Sequence, residues 1–263
     1  MKFYCIPPNN HLDMMDNGDR YFCLAHHYKN DSNYRNHFLD IRKNQTNAWI
    51  TLDNGCAENS TVSEQDLLQA VSELKPNEVI PPDVLFDKVQ TMSNFRSFVN
   101  KMRTHNMLHH TSIFACPQGS TKSTWMECFY EMLVNPFVKC IGLSKIAVPK
   151  CWNDVEEDKM IGVSRNECVK DLQEKRLLLK PLHLLGMGEH NEFDYYLNNK
   201  VPFIRSSDSC YTVLAAINGI DFENGDTTRI PTTNQYFDAK LTEEQIKLAQ
   251  KNLNYLKTKY KDV

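Results

Sequence analysis

Short apolar segments alternate along this chain with longer segments whose apolar residues recur at helical spacing. AWITLD (48–53) is β-like, whereas SEQDLLQAVSEL (63–74) carries leucine and valine three or four positions apart. This alternation with short connections predicts a parallel sheet whose strands are joined by helices. At least six such strand–helix units lie within 263 residues, close to the roughly 250 of a (β/α)8 barrel. We therefore predict an α/β fold, a single TIM-like (β/α)8 barrel, rather than an open doubly wound sheet.

The same patterns predict how the chain is organised. Residues 1–263 are expected to form one domain, in which 221–240 is a surface connection and 241–260 a C-terminal helix. Ser63, followed three residues later by Asp66, is the expected cap of the helix beginning there.

Composition excludes several classes of protein. No apolar run approaches the ~18 residues of a membrane span, and "PPNNH" follows the first apolar residues where a signal peptide would continue. We expect a cytoplasmic protein that does not engage a membrane. The nine cysteines form no C-x-C or C-x-x-C pair, so reduced thiols are expected and a structural zinc is not.

Basic residues concentrate in one part of a chain whose net charge is −3. They are Lys139, Lys145, Lys150, Lys159, Arg165, Lys170, Lys175, Arg176 and Lys180. The cluster fits either a phosphate-binding edge or the solvated surface of one or two helices.

Two histidine pairs, His26–His27 and His109–His110, suggest metal ligands at first sight. Adjacent residues of a strand point to opposite faces, so we expect no metal at either pair.

Polar residues or glycines stand where the predicted strands end. They are Asp53, Asp83, Gln118, Gly142, Gly186 and Asp208. In a barrel these ends open on one face, which predicts one shared pocket. Two of the carboxylates also have local interpretations: Asp53 can close its Asp-Asn-Gly turn, and Asp208 can cap the helix that follows SSDS.

These motifs resemble those of the tRNA-guanine transglycosylase superfamily. The strand ends of this superfamily are resembled by four segments, which occur in the family's order over roughly residues 1–220: ITLDNG, FACPQGS, KCIGLSKIAVP and LHLLGMGEHNEFDYYLNNKVPFIRSSDS. LDNGCAEN, PPDVLFDKVQT and SSDS are most similar to its 7-deazaguanine DNA transglycosylases, found in viruses and in bacterial DNA-modification islands. The tRNA enzymes carry a Cys-x-Cys-x-x-Cys zinc subdomain near the C-terminus, whereas no cysteine follows Cys210 here, which favours DNA. The family's usual Asp-Ser-Gly is Asp-Asn-Gly here, which leaves a serine contact to the base open.

The resemblance implies a double displacement that replaces guanine with a 7-deazaguanine such as 7-cyano-7-deazaguanine. Asp208 would be the nucleophile on C1′, and Asp53 the general acid/base for the leaving and entering purines. The target guanine must be flipped or single-stranded, and no cofactor is needed.

The remaining strand-end residues would bind the base. They are Asp83, Gln118, Gly119, Gly142, Leu143, Gly186 and Met187. Asp83 would accept from the N1–H and 2-amino group, a role for which Asp87 competes. Met187 would pack on the base plane, although a methionine at a strand end also suits a core.

Three other functions remain open from the sequence. The chain could act on tRNA, it could be a glycoside or nucleoside hydrolase using water as the second nucleophile, or it could be a non-catalytic barrel that binds modified bases.

Overall fold

A computed structural model describes residues 1–17, 20–57, 60–155, 160–187, 189–226, 228 and 230–263. The chain has an α/β fold with eight parallel strands in the order β1-β8-β7-β6-β5-β4-β3-β2. The strands are β1 (Lys2–Cys5), β2 (Arg20–Leu24), β3 (Trp49–Asp53), β4 (Glu78–Val79), β5 (Ser112–Ala115), β6 (Val138–Ser144), β7 (Leu182–Leu185) and β8 (Ile204–Ser209). This order, with helices between the strands, is that of a (β/α)8 barrel and confirms the predicted fold class.

The helices follow the strands as the sequence pattern predicts. They are α1 (Ala25–Asn30), α2 (Ser32–Asn44), α3 (Glu64–Leu74), α4 (Lys88–Thr104), α5 (Lys122–Val134), α6 (Ala147–Asn153), α7 (Ile161–Glu174), α8 (Asp194–Asn198), α9 (Tyr211–Ile217) and α10 (Glu243–Lys259). The cap predicted for α3 is confirmed, because the Ser63 side chain accepts from the Asp66 backbone amide. Thr242 caps α10 in the same way.

Three strand boundaries differ from the sequence prediction. β4 ends at Val79 rather than Asp83, because Pro81 and Pro82 have no amide proton to donate to a neighbouring strand. β5 ends at Ala115, before Pro117, so that Gln118 lies beyond the strand. β6 instead continues through Gly142, which therefore sits in a strand and not in a turn.

The His26–His27 pair lies on helix α1 and not on a strand. The two rings are 4.2 Å apart, so the argument that they point to opposite faces of a strand was wrong.

The chain divides into two compact units. One comprises Asp19–Gly142; the other comprises Met1–Gly18 with Leu143–Val263. The interior of the first includes Phe98, Phe114 and Trp125, all fully buried. In the second, the 221–240 connection is not wholly on the surface, because the rings of Phe222 and Tyr236 are buried.

No helix in the described part of the chain combines the length and the apolar character needed to cross a membrane. All nine cysteines are described, and each carries a free thiol.

Candidate functional site

Asp53 is the last residue of β3, and its carboxylate closes the turn that follows. Oδ2 accepts from the Gly55 amide at 2.9 Å, as the turn-closing interpretation predicts. Gly55 has φ +82°, and a Cβ there would lie 2.7 Å from the Ser60 carbonyl oxygen and 2.8 Å from His26 Nδ1. The turn therefore requires glycine. Asp53 remains half-buried, and its acid/base role stays a prediction.

His26 lies against this turn, although the sequence analysis considered it only as a metal ligand. Burial and, secondarily, the neighbouring His27 lower the pKa of His26 to about 4. His26 is therefore a neutral imidazole beside the Asp53 turn near neutral pH.

Asp83 is the centre of a buried polar group that we call the Asp83 cluster: Asn54, Cys56, Asp83, Cys116 and Gln118. Asn54 Nδ2 donates to Asp83 Oδ1 at 2.7 Å, and Gln118 Nε2 donates to Oδ2 at 2.5 Å. Burial raises the pKa of Asp83, and hydrogen bonds from the two amides and the two thiols counteract part of that rise. The carboxylate is thus held on both oxygens by side chains from two other strand ends.

The two amides of this cluster are themselves fixed. Asn54 also donates to the Pro81 carbonyl oxygen at 2.7 Å and accepts from the Cys56 amide at 2.7 Å. Gln118 Nε2 also contacts Cys116 Sγ at 3.6 Å, while its Oε1 accepts from the Phe86 amide at 3.4 Å. Gln118 therefore orients Asp83 here, in addition to any direct contact with a base.

Asp87, the competing acceptor, has a local role. Its side chain accepts from the Gln90 amide at 2.9 Å and caps α4. The structure thus separates the two carboxylates: Asp83 belongs to the buried cluster and Asp87 to a helix start.

Gly119 owes its identity to packing. A Cβ there would lie 2.4 Å from the Trp125 backbone nitrogen, so only glycine lets this segment approach α5. Gly142 and Leu143 are buried in β6. Their predicted main-chain contact with a 7-substituent stays a prediction.

Asp208 belongs to a second group, the Asp208 cluster: His183, Gly186, Arg205, Ser206 and Asp208. His183 Nε2 and the Gly186 amide both approach Asp208 Oδ1, at 2.8 Å and 3.0 Å. The parallel register places His183 beside Ser206, whose hydroxyl lies 2.7 Å from His183 Nδ1. The ring edge of Tyr4 on β1 covers the imidazole at 5.5 Å between centroids.

The Asp208 side chain does not cap α9. The Tyr211 amide at the start of that helix bonds Ser209 Oγ at 2.9 Å instead. The capping interpretation was wrong, because Ser209, one position nearer the helix, already supplies the acceptor.

Gly186 is held from both sides. Its amide bonds Asp208 and its carbonyl oxygen accepts from Arg165 Nη2, while its φ of +68° favours glycine. Arg165 is fully buried, 3.9 Å from the equally buried Glu192 carboxylate. Arg165 was one of the basic residues predicted to form either a phosphate-binding edge or a solvated surface, and its complete burial fits neither; Lys159 of that group lies outside the described residues.

Met187 faces an interior region rather than an open site. Its buried side chain borders a small cavity shared with Phe3, Thr212 and Leu256. The core interpretation of Met187 is therefore the one that the structure supports. Lys145 lies on the other side of the turn, with its methylene groups against Gly186.

The roles of His183 and Arg165 were not predicted from the sequence. Each interrupts an apolar pattern: His183 lies between leucines in LHLL, and Arg165 falls on the buried face of α7 with Ile161 and Cys168. A buried polar residue needs a partner, so this interruption was the available signal.

Within the described ranges, no group of three or more His, Cys, Asp or Glu residues is placed to hold a metal ion.

Searches with protein-family models and against characterised proteins find no match to this chain. The resemblance to transglycosylases therefore rests on the quoted motifs, and function has to be argued from the two clusters.

Proposed function

We propose that this protein exchanges a guanine of DNA for a 7-deazaguanine base through a covalent glycosyl-enzyme intermediate. The observation that carries the proposal is Asp208. This carboxylate accepts hydrogen bonds from His183 and from the Gly186 backbone amide on one oxygen, does not cap α9, and is the next-to-last residue of β8.

The geometry of Asp208 suits a nucleophile. Both hydrogen bonds that it accepts among the described residues fall on Oδ1. Its second oxygen can therefore bond to carbon while Oδ1 stays anchored.

The Asp83 cluster supports a guanine-like base as the group exchanged. A carboxylate has about four lone-pair positions, and the two amides use one on each oxygen. The thiols of Cys56 and Cys116 also hydrogen-bond this carboxylate. They are weak donors, which the paired N1–H and 2-amino donors of guanine would displace. Burial raises the pKa of Asp83, and the low dielectric of the same buried site strengthens a hydrogen bond from such donors to the ionised carboxylate.

The exchange balances with two carboxylates and no cofactor. An Asp208 oxygen bonds C1′ as the C1′–N9 bond breaks, and Asp53 supplies the proton that guanine takes up. Asp53 then removes the proton from the incoming base, whose nitrogen bonds C1′ as the ester bond to Asp208 breaks.

DNA as the substrate rests on the similarity of LDNGCAEN, PPDVLFDKVQT and SSDS to the DNA-modifying branch. The nucleotide would enter flipped or as single-stranded DNA, since a stacked base cannot reach a carboxylate at a strand end.

The test measures release of labelled guanine from DNA in the presence of 7-cyano-7-deazaguanine. Release that depends on the added base supports exchange. Release without added base would identify a hydrolase instead, and release only from labelled tRNA would move the substrate to RNA.

Denaturing gels then test the two carboxylates. Wild type and Asp53→Asn should retain a DNA adduct when the leaving base is an acidic purine analogue, and Asp208→Asn should not. Exchange by Asp208→Asn at the wild-type rate would end the proposal. Asp53→Asn should exchange bases roughly 10²–10⁴-fold more slowly than wild type. If it exchanged them at the wild-type rate, only the acid/base role of Asp53 would be refuted.

A further inference from the structure

We propose that His183 is the positioning residue of Asp208, held in one tautomer by a chain of donors that begins at Arg205. The inference rests on the proposed function for its catalytic consequence. The hydrogen-bond chain can be tested without turnover.

The direction of the hydrogen bonds follows from what each group can donate. Arg205 Nε lies 3.2 Å from Ser206 Oγ, and a guanidinium has no acceptor. Ser206 therefore accepts from Arg205 and has one hydroxyl proton left to give. Its other close partner is His183 Nδ1, at 2.7 Å.

The tautomer of His183 is then fixed. Nδ1 accepts the Ser206 proton, so the ring proton is on Nε2, which donates to Asp208 Oδ1 at 2.8 Å. A doubly protonated ring would donate to Ser206 from Nδ1 and leave the fully buried Ser206 hydroxyl proton without that acceptor. The chain thus places the Nε2–H of an imidazole protonated on that nitrogen alone against Asp208 Oδ1.

Among the serine, the histidine and the aspartate of the chain, exposure indicates which group can meet substrate, while Arg205 at the other end is half-buried. Ser206 and His183 are 0% exposed, whereas Asp208 is 7% exposed. A serine–histidine–aspartate set invites comparison with hydrolases that use serine as the nucleophile. Here the serine is at the closed end, so the carboxylate is the reacting group and the histidine acts through it.

His183 has a defined task in both displacements. Its Nε2–H keeps Oδ1 in place while the other oxygen bonds C1′. It later stabilises the charge that returns to the carboxylate as the ester breaks. Since His183 is sealed from solvent, it contributes to the chemical steps and not to DNA binding.

The kinetic experiment compares His183→Leu, His183→Gln and wild type in guanine exchange on single-stranded DNA. Losing a hydrogen bond to a charged group should lower kcat roughly 10–100-fold, with KM for DNA within about threefold of wild type. Gln keeps an amide donor near the Nε2 position and should recover most of the rate. If His183→Leu and His183→Gln differed from each other in KM for DNA but not in kcat, the proposal would be overturned.

Ser207→Ala is the matched control. Ser207 lies on the same strand with its side chain on the opposite face, and its hydroxyl bonds the Leu184 carbonyl oxygen of β7 at 2.8 Å. The kcat of Ser207→Ala should equal that of wild type. If Ser207→Ala lost as much kcat as His183→Leu, any disturbance of β7 and β8 would lower the rate, and the loss would say nothing specific about His183.

A spectrum of the ring nitrogens tests the chain without catalysis. In protein labelled with ¹⁵N-histidine, the signal that His183→Gln removes should show a protonated Nε2 and an unprotonated Nδ1 at neutral pH. Asp208→Asn should shift that signal. A ring protonated on Nδ1 would overturn the proposal, even if the protein exchanges bases. Conversely, failure of wild type to exchange any base, with the expected spectrum, would refute the proposed function alone.

Discussion

The Asp83 and Asp208 clusters hold a carboxylate in different ways. Asp83 has one amide donor on each oxygen, whereas both donors to Asp208 converge on Oδ1. A carboxylate fixed on both oxygens presents a rigid plane of lone pairs, which suits recognition of paired donors. A carboxylate anchored by one oxygen keeps the other for bond formation. The positions of the hydrogen-bond donors thus suit Asp83 to recognition and Asp208 to nucleophilic attack, although the two side chains are chemically identical.

The supports behind the donors differ as well. Neutral amides and thiols surround Asp83. Behind Asp208, Arg205 bonds the serine that orients His183, and Arg165 bonds the carbonyl of Gly186. Two arginines therefore support the groups that bond Asp208, whereas no cation bonds the groups that hold Asp83 among the described contacts. This difference leads to four predictions.

The largest expected effect separates the two carboxylates. Asp208→Asn should eliminate the covalent DNA adduct and reduce exchange by about 10⁴-fold or more, as removal of a nucleophile does. Asp83→Asn should still form the adduct, with kcat/KM for the incoming base lower by roughly 10–100-fold. Gel trapping and steady-state kinetics on both variants measure this, and equal adduct loss would erase the proposed division of roles.

Arg165→Leu should destabilise the fold by about 3–5 kcal/mol, because it removes the buried guanidinium that lies 3.9 Å from the buried Glu192 carboxylate. Arg165→Leu combined with Glu192→Leu should recover much of that loss, since no buried charge remains. Urea unfolding of the two variants and wild type measures both effects. An Arg165→Leu protein as stable as wild type would show that no buried cation supports this cluster.

Asn54→Ser introduces the residue usual in the family that the chain resembles. Serine is too short to bond both Asp83 and the Pro81 carbonyl, so a loss of about 1–3 kcal/mol in unfolding free energy is expected. Asn199→Ser, at an exposed position, is the control and should change stability by less than about 0.5 kcal/mol. Similar losses from both would mean that Asn54 does not support Asp83.

The smallest effect concerns pH. The folded-state pKa of Asp83 is raised by burial, so the folded protein binds this proton more tightly than the unfolded chain. Stability from this group therefore falls as pH rises from the ordinary carboxyl pKa of 3.8 through the raised value. Relative to Asp83→Asn, wild type should gain stability as pH is lowered through that window. A difference that is constant with pH, measured by urea unfolding, would contradict it.

Local patterns in the sequence were sufficient for the fold class and for several helix starts. Strand–helix alternation predicted the (β/α)8 order, and Ser63 was identified from its immediate neighbours. Asp53 was likewise identified as the last residue of its strand, because the apolar run WITL precedes it, whereas β8 runs one residue past Asp208, to Ser209. Such features depend only on residues that are close in the sequence.

Tertiary structure decided how each carboxylate is held. Asp83 is bonded by residues 29 and 35 positions away, and Asp208 by His183 at 25 positions. Arg165 is 21 positions from the carbonyl that it bonds. A hydrogen bond needs its two atoms within about 3 Å with suitable alignment, and strand register and helix docking, not local sequence, set that approach. The sequence alone therefore predicted which carboxylates stand at strand ends, and only the packing of the strands determined which oxygens they leave available.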